Sequence, residues 1–398
     1  MTDARCVVIL GGGYAGLMTA ARLAQRQPAD RITLVDASPT FVERIRLHQA
    51  MAGQRLRRRA LRALLPKRVA FLQGRAVGWD VAGRRLSVDT HEGARNVSYD
   101  RLVYALGSTV DVTRVPGVST HARALGGQED AERLGAVLVS LPAGKRVLVV
   151  GGGLTGIEAA AELAEARPDL RVELAAPEPP AAAFAPAGAA HLERVFARLR
   201  VAVHAGVRVT ALDAGAAHLA DGRALPFDVC LWAAGFVAPS LAAHAGLPVN
   251  ARGQLVVDAT LRVPGHPEIL AAGDAAAVSA AGATLRMACA TAMPMGTFVA
   301  DELARERAGE APRPFRFAYM IQCVSLGRRD GLVQRVGPDD RPLPKVWTGR
   351  RAAFIKEMVC RSTVLSIRAE RRGVRMYRWP APPRPVGAAP VAGYVGAE

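Results

Sequence analysis

Val7-Val8-Ile9-Leu10-Gly11-Gly12-Gly13-Tyr14-Ala15-Gly16 sets an apolar run directly before a glycine-rich turn and an alanine-rich helical pattern. The arrangement returns at Val147-Leu148-Val149-Val150-Gly151-Gly152-Gly153-Leu154-Thr155-Gly156. One such turn is weak evidence in a chain with 39 glycines, whereas two, each opening from an apolar strand, are strong. In a strand–turn–helix unit of this kind the first glycine permits the tight turn, the second lets a pyrophosphate approach the backbone, and the third lets helix and strand pack closely. The diphosphate then rests on the free amides of a helix N-terminus, where the macrodipole favours negative charge. The fold class is therefore α/β, with two Rossmann-like dinucleotide-binding domains. Gly11, Gly13, Tyr14, Ala15 and Gly16 are expected around one nucleotide, and Gly153, Leu154, Thr155 and Gly156 around the other.

The second strand of each unit separates the two sites. Arg31-Ile32-Thr33-Leu34-Val35-Asp36 reads as a second strand ending in a carboxylate, at the offset expected for a ribose-binding acid, with Ala37 beside it. After Gly156 the corresponding strand runs Leu170-Arg171-Val172-Glu173-Leu174-Ala175, and Ala176 holds the acidic position, with Glu178 nearby and no arginine adjacent. The choice between NADH and NADPH stays open on this reading.

The chain has 398 residues, enough for two or three domains with substantial cores. Half the residues are hydrophobic, yet no apolar run approaches the roughly 20 residues of a membrane-spanning helix. Met1-Thr2-Asp3-Ala4-Arg5 leads straight into the first strand without a signal-peptide pattern, so a cytoplasmic location is expected, with peripheral membrane contact left open. The five cysteines stand far apart, which argues against a zinc site or a short-range redox disulfide, and no metal is expected. The formal charge of +17 raises a nucleic-acid reading, but the basic residues are dispersed and aromatic residues too scarce to interleave with them, so no nucleic-acid partner is expected. Clusters such as Arg55-Leu56-Arg57-Arg58-Arg59 read as solvated faces.

Along the chain, residues 1–110 and 237–310 form one expected domain, into which residues 111–236 are inserted as a second unit of parallel plan. Each unit ends in an apolar strand and a small-residue turn, Ala105-Leu106-Gly107 and Ala233-Ala234-Gly235. Glu268 to Asp274 reads as a strand delivering an aspartate at a glycine turn. The patterns predict a loop over Ala176 to Ala190 before a helix around His191 to Arg200, and a long helix over Arg286 to Arg307 broken near Pro294. A C-terminal α+β segment spans 311–378, with strands at Phe315 to Tyr319 and Cys323 to Gly327 and a helix from Arg350 to about Arg361; residues 379–398 read as a disordered tail.

With these features together, the sequence resembles the two-dinucleotide-binding-domain flavoproteins and is most similar among them to the type II NADH dehydrogenases (NADH:quinone oxidoreductases). The resemblance covers roughly residues 5–365 and rests on the paired glycine turns, the two small-residue turns, Gly273-Asp274, and Ser325-Leu326-Gly327-Arg328-Arg329-Asp330. It implies FAD in the first turn and NADH or NADPH in the second. It assigns Gly273 and Asp274 to the flavin's ribityl-phosphate portion and Glu158 to the nicotinamide ribose. Arg44, Val77, Ala105, Gly107 and Ala290 join the expected flavin contacts, and Gly235 those of the nicotinamide nucleotide. Glu158, His48 and Cys289 are the candidates for a direct part in catalysis.

There are departures. The glutamines that the type II dehydrogenases carry beneath the flavin are absent from Cys289-Ala290-Thr291-Ala292-Met293-Pro294-Met295-Gly296, and Phe41 to His48 lacks the cysteine pair of the disulfide reductases. The expected activity is hydride transfer from NAD(P)H to flavin, then electron delivery to a quinone or similar small aromatic acceptor. Two alternatives remain beside it: reduction of an acidic iron–sulfur carrier, and a tailoring role in specialised metabolism. A homodimer is left open.

Overall fold

In the computed structural model, residues 4–280, 282–374 and 377–381 are described. Strand β1 (Cys6–Leu10) runs into helix α1 (Tyr14–Arg26) and returns through β2 (Arg31–Asp36). Every residue of α1 from Tyr14 to Ala24 is buried, which its run of Ala, Leu and Met side chains permits at close packing distance. The short α2 (Leu47–Met51), β3 (Ala70–Gln73) and β4 (Arg101–Tyr104) come next.

The chain then enters a second unit made of α3 (Gln128–Ser140), β5 (Arg146–Val150), α4 (Leu154–Ala166), β6 (Arg171–Ala176), α5 (Pro186–Leu199), β7 (Ala202–Ala205) and β8 (Val229–Trp232). Strand Ala122–Ala124 completes its parallel sheet, in the order Ala122–Ala124, β8, β5, β6, β7. The outgoing and returning connections lie side by side, Thr109 opposite Val237 and Val110 opposite Phe236 in an antiparallel pair.

Back in the first unit, β9 (His266–Ala271) pairs in parallel with β4 and closes the six-stranded sheet, ordered Arg262–Val263, β9, β4, β1, β2, β3. Helix α6 (Cys289–Arg307) packs along α1, with the Thr19 hydroxyl donating to the carbonyls of Ala15 (3.0 Å) and Gly296 (2.9 Å). The C-terminal segment adds an antiparallel sheet of β10 (Ile321–Ser325), β11 (Gly331–Val336) and β12 (Pro342–Thr348), then the 23-residue α7 (Gly349–Arg371). Helix α7 is stapled to α1 by a buried bidentate pair, Arg22 donating to both Glu370 carboxylate oxygens at 3.0 and 2.5 Å.

Several elements differ from the sequence expectations. Helix α5 starts at Pro186, since proline at the first helical position lacks only an N–H that would go unpaired anyway. Helix α6 starts at Cys289 and passes through Pro294 without a break. Phe315 to Tyr319 is not a strand; its alternating aromatic rings form a cluster, with Phe315 edge-on to Phe298 (5.2 Å) and Phe317 edge-on to Tyr319 (4.8 Å). Helix α7 extends ten residues past Arg361 because Thr363, Val364, Ile367 and Glu370 continue its buried face. Trp379 and Pro380 belong to the packed structure: the Trp379 indole donates to Arg316 O (2.8 Å) and Pro380 O accepts from Ala318 N (3.0 Å). The remainder of the expected tail, 382–398, lies outside the described residues.

Candidate active site

The two glycine turns are built alike. Gly11 and Gly151 have φ of +111° and +126°, which glycine adopts without a Cβ clash, and each backbone abuts a small-residue turn, Ala105-Leu106 in one unit and Ala233-Ala234 in the other. A methyl on Gly16 would overlap the Gly11 carbonyl oxygen, and one on Gly156 would overlap that of Gly151, so helix and strand meet at van der Waals limits in both. Gly13 and Gly153, at the helix N-caps, would meet nothing within 4 Å. Each turn is thus a tight backbone cradle with an open mouth at a helix N-terminus, the shape and polarity a diphosphate requires.

In the first cradle the Asp36 carboxylate accepts the N–H groups of Gly12 (2.6 Å) and Ser38 (2.7 Å); burial raises its pKa and these bonds oppose the rise. Ala37 is exposed beside it. Ser108, after the Gly107 turn, donates to Asp274 Oδ2 at 2.7 Å. Burial raises Asp274 against the pull of Ser108 and Arg44, and burial lowers Arg44 against the pull of Asp274. Gly273 abuts Ala15 and Ala292, so α1, α6 and the Gly273-Asp274 turn converge. Tyr14 is buried edge-on to Phe41 (5.1 Å). Val77 is exposed at a bulge in a separate three-stranded sheet, and Ala290 lies in the first turn of α6. On the nucleotide side Gly235 comes shortly after β8 and its carbonyl accepts Asp111 N–H at 2.7 Å.

A buried polar centre joins α2, α4 and α7. Glu158 on α4 accepts the N–H of Ser325 (3.0 Å) and a bond from Lys356 Nζ (2.9 Å) at Oε1, while His48 Nδ1 stands 3.5 Å from Oε2. Lys356 also donates to Cys323 O (3.3 Å). Burial pushes Glu158 up, but Lys356, His48 and the Ser325 amide outweigh it and the net shift is downward. Burial likewise pulls Lys356 down, and Glu158 reverses the sign, so Lys356 keeps its proton. Burial lowers His48 to about 4 despite Glu158, leaving a neutral imidazole whose Nε2 has no hydrogen-bond partner among the described residues. One turn further along α4, burial raises Glu162 to about 7; Gln54 donates to it at 2.5 Å and Arg328 Nε lies 3.8 Å away.

His48 and Glu158, two of the expected catalytic residues, are thus brought together. Cys289 begins α6, and burial pushes its thiol up to about 12, so it is a protonated, packed side chain and not a thiolate at neutral pH. All five cysteines are free. Lys356 is not among the site residues expected from the sequence. Its position four residues before Cys360, in a helix whose buried face continues to Glu370, is the signal that could have found it. A narrow crevice with room for about one water molecule, lined by Gln49, Ser325, Arg328, Lys356 and Cys360 among others, opens onto this centre.

Residues 5–296 match the pyridine nucleotide-disulphide oxidoreductase family. The chain belongs to that family. It is 31% identical over 344 residues to an NADH dehydrogenase-like protein of Mycobacterium tuberculosis, covering 81% of this chain and 85% of the relative. It is 27% identical to the demethylphylloquinone reductase of Synechocystis, covering 85% and 88% of the two chains. The structure of NDH2 from Plasmodium falciparum in complex with NADH shares the fold, at a TM-score of 0.79 and 15% identity over 95% of this chain and 99% of that one. As a family member with both cradles intact, the chain is an oxidoreductase that uses FAD and NAD(P)H. It lacks a cysteine pair at the end of the ribose-binding loop, where the disulfide-reducing members carry one.

Proposed function

We propose that this chain oxidises NAD(P)H through FAD and passes the electrons to a quinone, in the region closed by α7. The observation that carries this reading is the buried Glu158–Lys356–His48 centre, which ties α4 of the second unit to α2 of the first and to α7. Bound FAD supplies the redox chemistry, accepting hydride from the nicotinamide and releasing electrons to an acceptor. The side chains bind, orient and hold protons. Lys356 fixes Glu158 as an anion at a stated place, and neutral His48 offers Nε2 for one hydrogen bond. Reducing a quinone to a quinol takes up two protons, which suits a centre where a carboxyl titrates near 7 beside a crevice. The Synechocystis relative is itself named for a quinone.

The same reading sets α7 against a membrane surface. Phe354, Met358 and Leu365 are 67%, 43% and 57% exposed and fall on one stripe of the helix, bordered by Arg351, Arg361 and Arg368. No helix among the described residues is long and apolar enough to cross a membrane, so the contact is in the interfacial plane, where apolar burial and attraction to anionic lipid add.

The test is anaerobic. FAD-loaded protein is reduced with NAD(P)H and mixed with a short-chain quinone, and rapid reoxidation is expected; reduced protein that no quinone reoxidises contradicts the acceptor. The charge of +17 favours one other acceptor, an acidic iron–sulfur protein. Its mark is a rate that collapses with added salt for the protein acceptor alone.

A further inference from the structure

Both Rossmann units share one register, which permits a position-by-position comparison of their nucleotide sites. Leu10 lies opposite Val35 and Val150 opposite Ala175, so Ala176 stands where Asp36 stands. The turn amides agree: Gly11 N–H bonds Val35 O (2.8 Å) and Gly151 N–H bonds Ala175 O (2.9 Å). In the first unit this position is a carboxylate clamped by two backbone N–H groups. In the second it is a buried methyl, packed so close to Gly152 that a Cβ there would lie 2.7 Å away.

The surroundings of Ala176 supply no fixed anion. Its loop, Pro177-Glu178-Pro179-Pro180, holds a single ionisable group, Glu178, whose side chain is exposed and makes no bond among the described residues. Glu173 faces away to His204, which it meets at 2.7 Å. On the adjoining segment the Ala176 carbonyl accepts the N–H of Val207 (3.1 Å), and the next residue is Arg208, exposed and with no side-chain partner among the described residues.

We propose that the second cradle accepts NADPH about as well as NADH, with Ala176 removing the charge that would reject a 2'-phosphate and Arg208 attracting it. A carboxylate at this position selects NADH twice over, by bonding the ribose diol and by repelling a phosphate at short range. Ala176 does neither. Arg208 adds an attraction that only the phosphorylated nucleotide feels. The proposal rests on the second cradle being the NAD(P)H site; it does not depend on the identity of the acceptor.

The experiment is calorimetric titration of FAD-loaded protein with ADP-ribose and with 2'-phospho-ADP-ribose, beside kcat/KM for NADH and NADPH. Dissociation constants within about tenfold of each other are expected. Ala176→Asp is expected to weaken the phosphorylated ligand relative to the other by roughly a hundredfold, and Arg208→Gln by roughly tenfold without affecting ADP-ribose. Because Arg208 is exposed, its variant keeps the test alive if Ala176→Asp does not fold. Wild-type discrimination of a hundredfold or more against the phosphorylated ligand overturns the proposal, as does an unchanged ratio in Arg208→Gln together with folded Ala176→Asp. Protein that binds neither ligand overturns both this inference and the assignment of the second cradle. Protein that binds both yet is not reoxidised by quinones contradicts only the proposed acceptor.

Discussion

The first glycine turn ends its second strand in Asp36, hydrogen-bonded to Gly12, and the second ends it in Ala176, a methyl against Gly152; everything between strand, turn and helix is otherwise matched. The contrast shows which part of a dinucleotide site is dictated by backbone sterics and which is free to vary. Glycines that let helix and strand touch cannot be exchanged in either unit. The residue at the Asp36 and Ala176 position lies at a strand end, where its side chain can change without moving the backbone, and there the two units have diverged.

The largest expected effects come from forcing the two turns apart functionally. Gly16→Ala drives a methyl into the Gly11 carbonyl, and purified protein is expected to be colourless. Gly156→Ala makes the same intrusion in the second unit, and is expected to stay yellow while NAD(P)H bleaches its flavin roughly a hundredfold more slowly. Equal loss of flavin in both variants would show that the turns do not serve separate nucleotides.

Next is the centre that joins α2, α4 and α7. Lys356→Met strands Glu158 in the interior and is expected to cost about 3–5 kcal/mol in denaturant unfolding. Adding Glu158→Gln removes the stranded charge and is expected to restore part of that loss, because the pair is coupled. A double variant as unstable as the sum of the two single variants would mean the contact carries no coupling.

Proton linkage sharpens the same comparison with opposite signs on α2 and α4. Burial takes His48 from an ordinary 6.5 to about 4, so between those values the unfolded chain holds more protons and stability rises with pH. Burial takes Glu162 from an ordinary 4.5 to about 7, so between those values the folded chain holds more protons and stability falls with pH. Each change amounts to at most about 3 kcal/mol, and the two nearly cancel over their shared window. His48→Phe is expected to expose the falling slope and Glu162→Gln the rising one, read from midpoints of unfolding between pH 4 and 7. Parallel curves for both variants and the unaltered protein would refute the burial of these two groups.

The smallest effect is at the surface. Phe354→Glu with Leu365→Glu is expected to release the protein from anionic vesicles by roughly tenfold in co-sedimentation while leaving the rate with a water-soluble quinone unchanged. Undiminished binding would remove α7 from the membrane contact.

How much is legible in the sequence depends on how local each constraint is. The turns at Gly11 and Gly151, the acid at Asp36 and the Gly273-Asp274 pair are written in short stretches, because strand, turn and first helical residues meet within a few positions. The Glu158–Lys356 bond joins residues nearly two hundred positions apart, and the Glu162–Gln54 bond joins α4 to the loop after α2; no spacing rule reaches either. Phe315 to Tyr319 has strand periodicity yet forms no ladder, since its rings pack into a cluster instead of across a paired strand. Pro294 suggests a break that tertiary packing overrides, with α6 held along α1 through Thr19 and Gly296. Lys356 is visible but not as a site residue, because a lysine in an amphipathic helix is ordinarily solvated and here is buried against a carboxylate.

The central claim, that two matched cradles carry electrons from a nicotinamide to a flavin and onward to a quinone, is tested most directly by anaerobic stopped-flow absorbance of the purified yellow protein. The account predicts that NADH or NADPH bleaches the flavin and that a quinone restores it at a rate matching steady-state turnover. A flavin that stays oxidised in the presence of both nucleotides would contradict it.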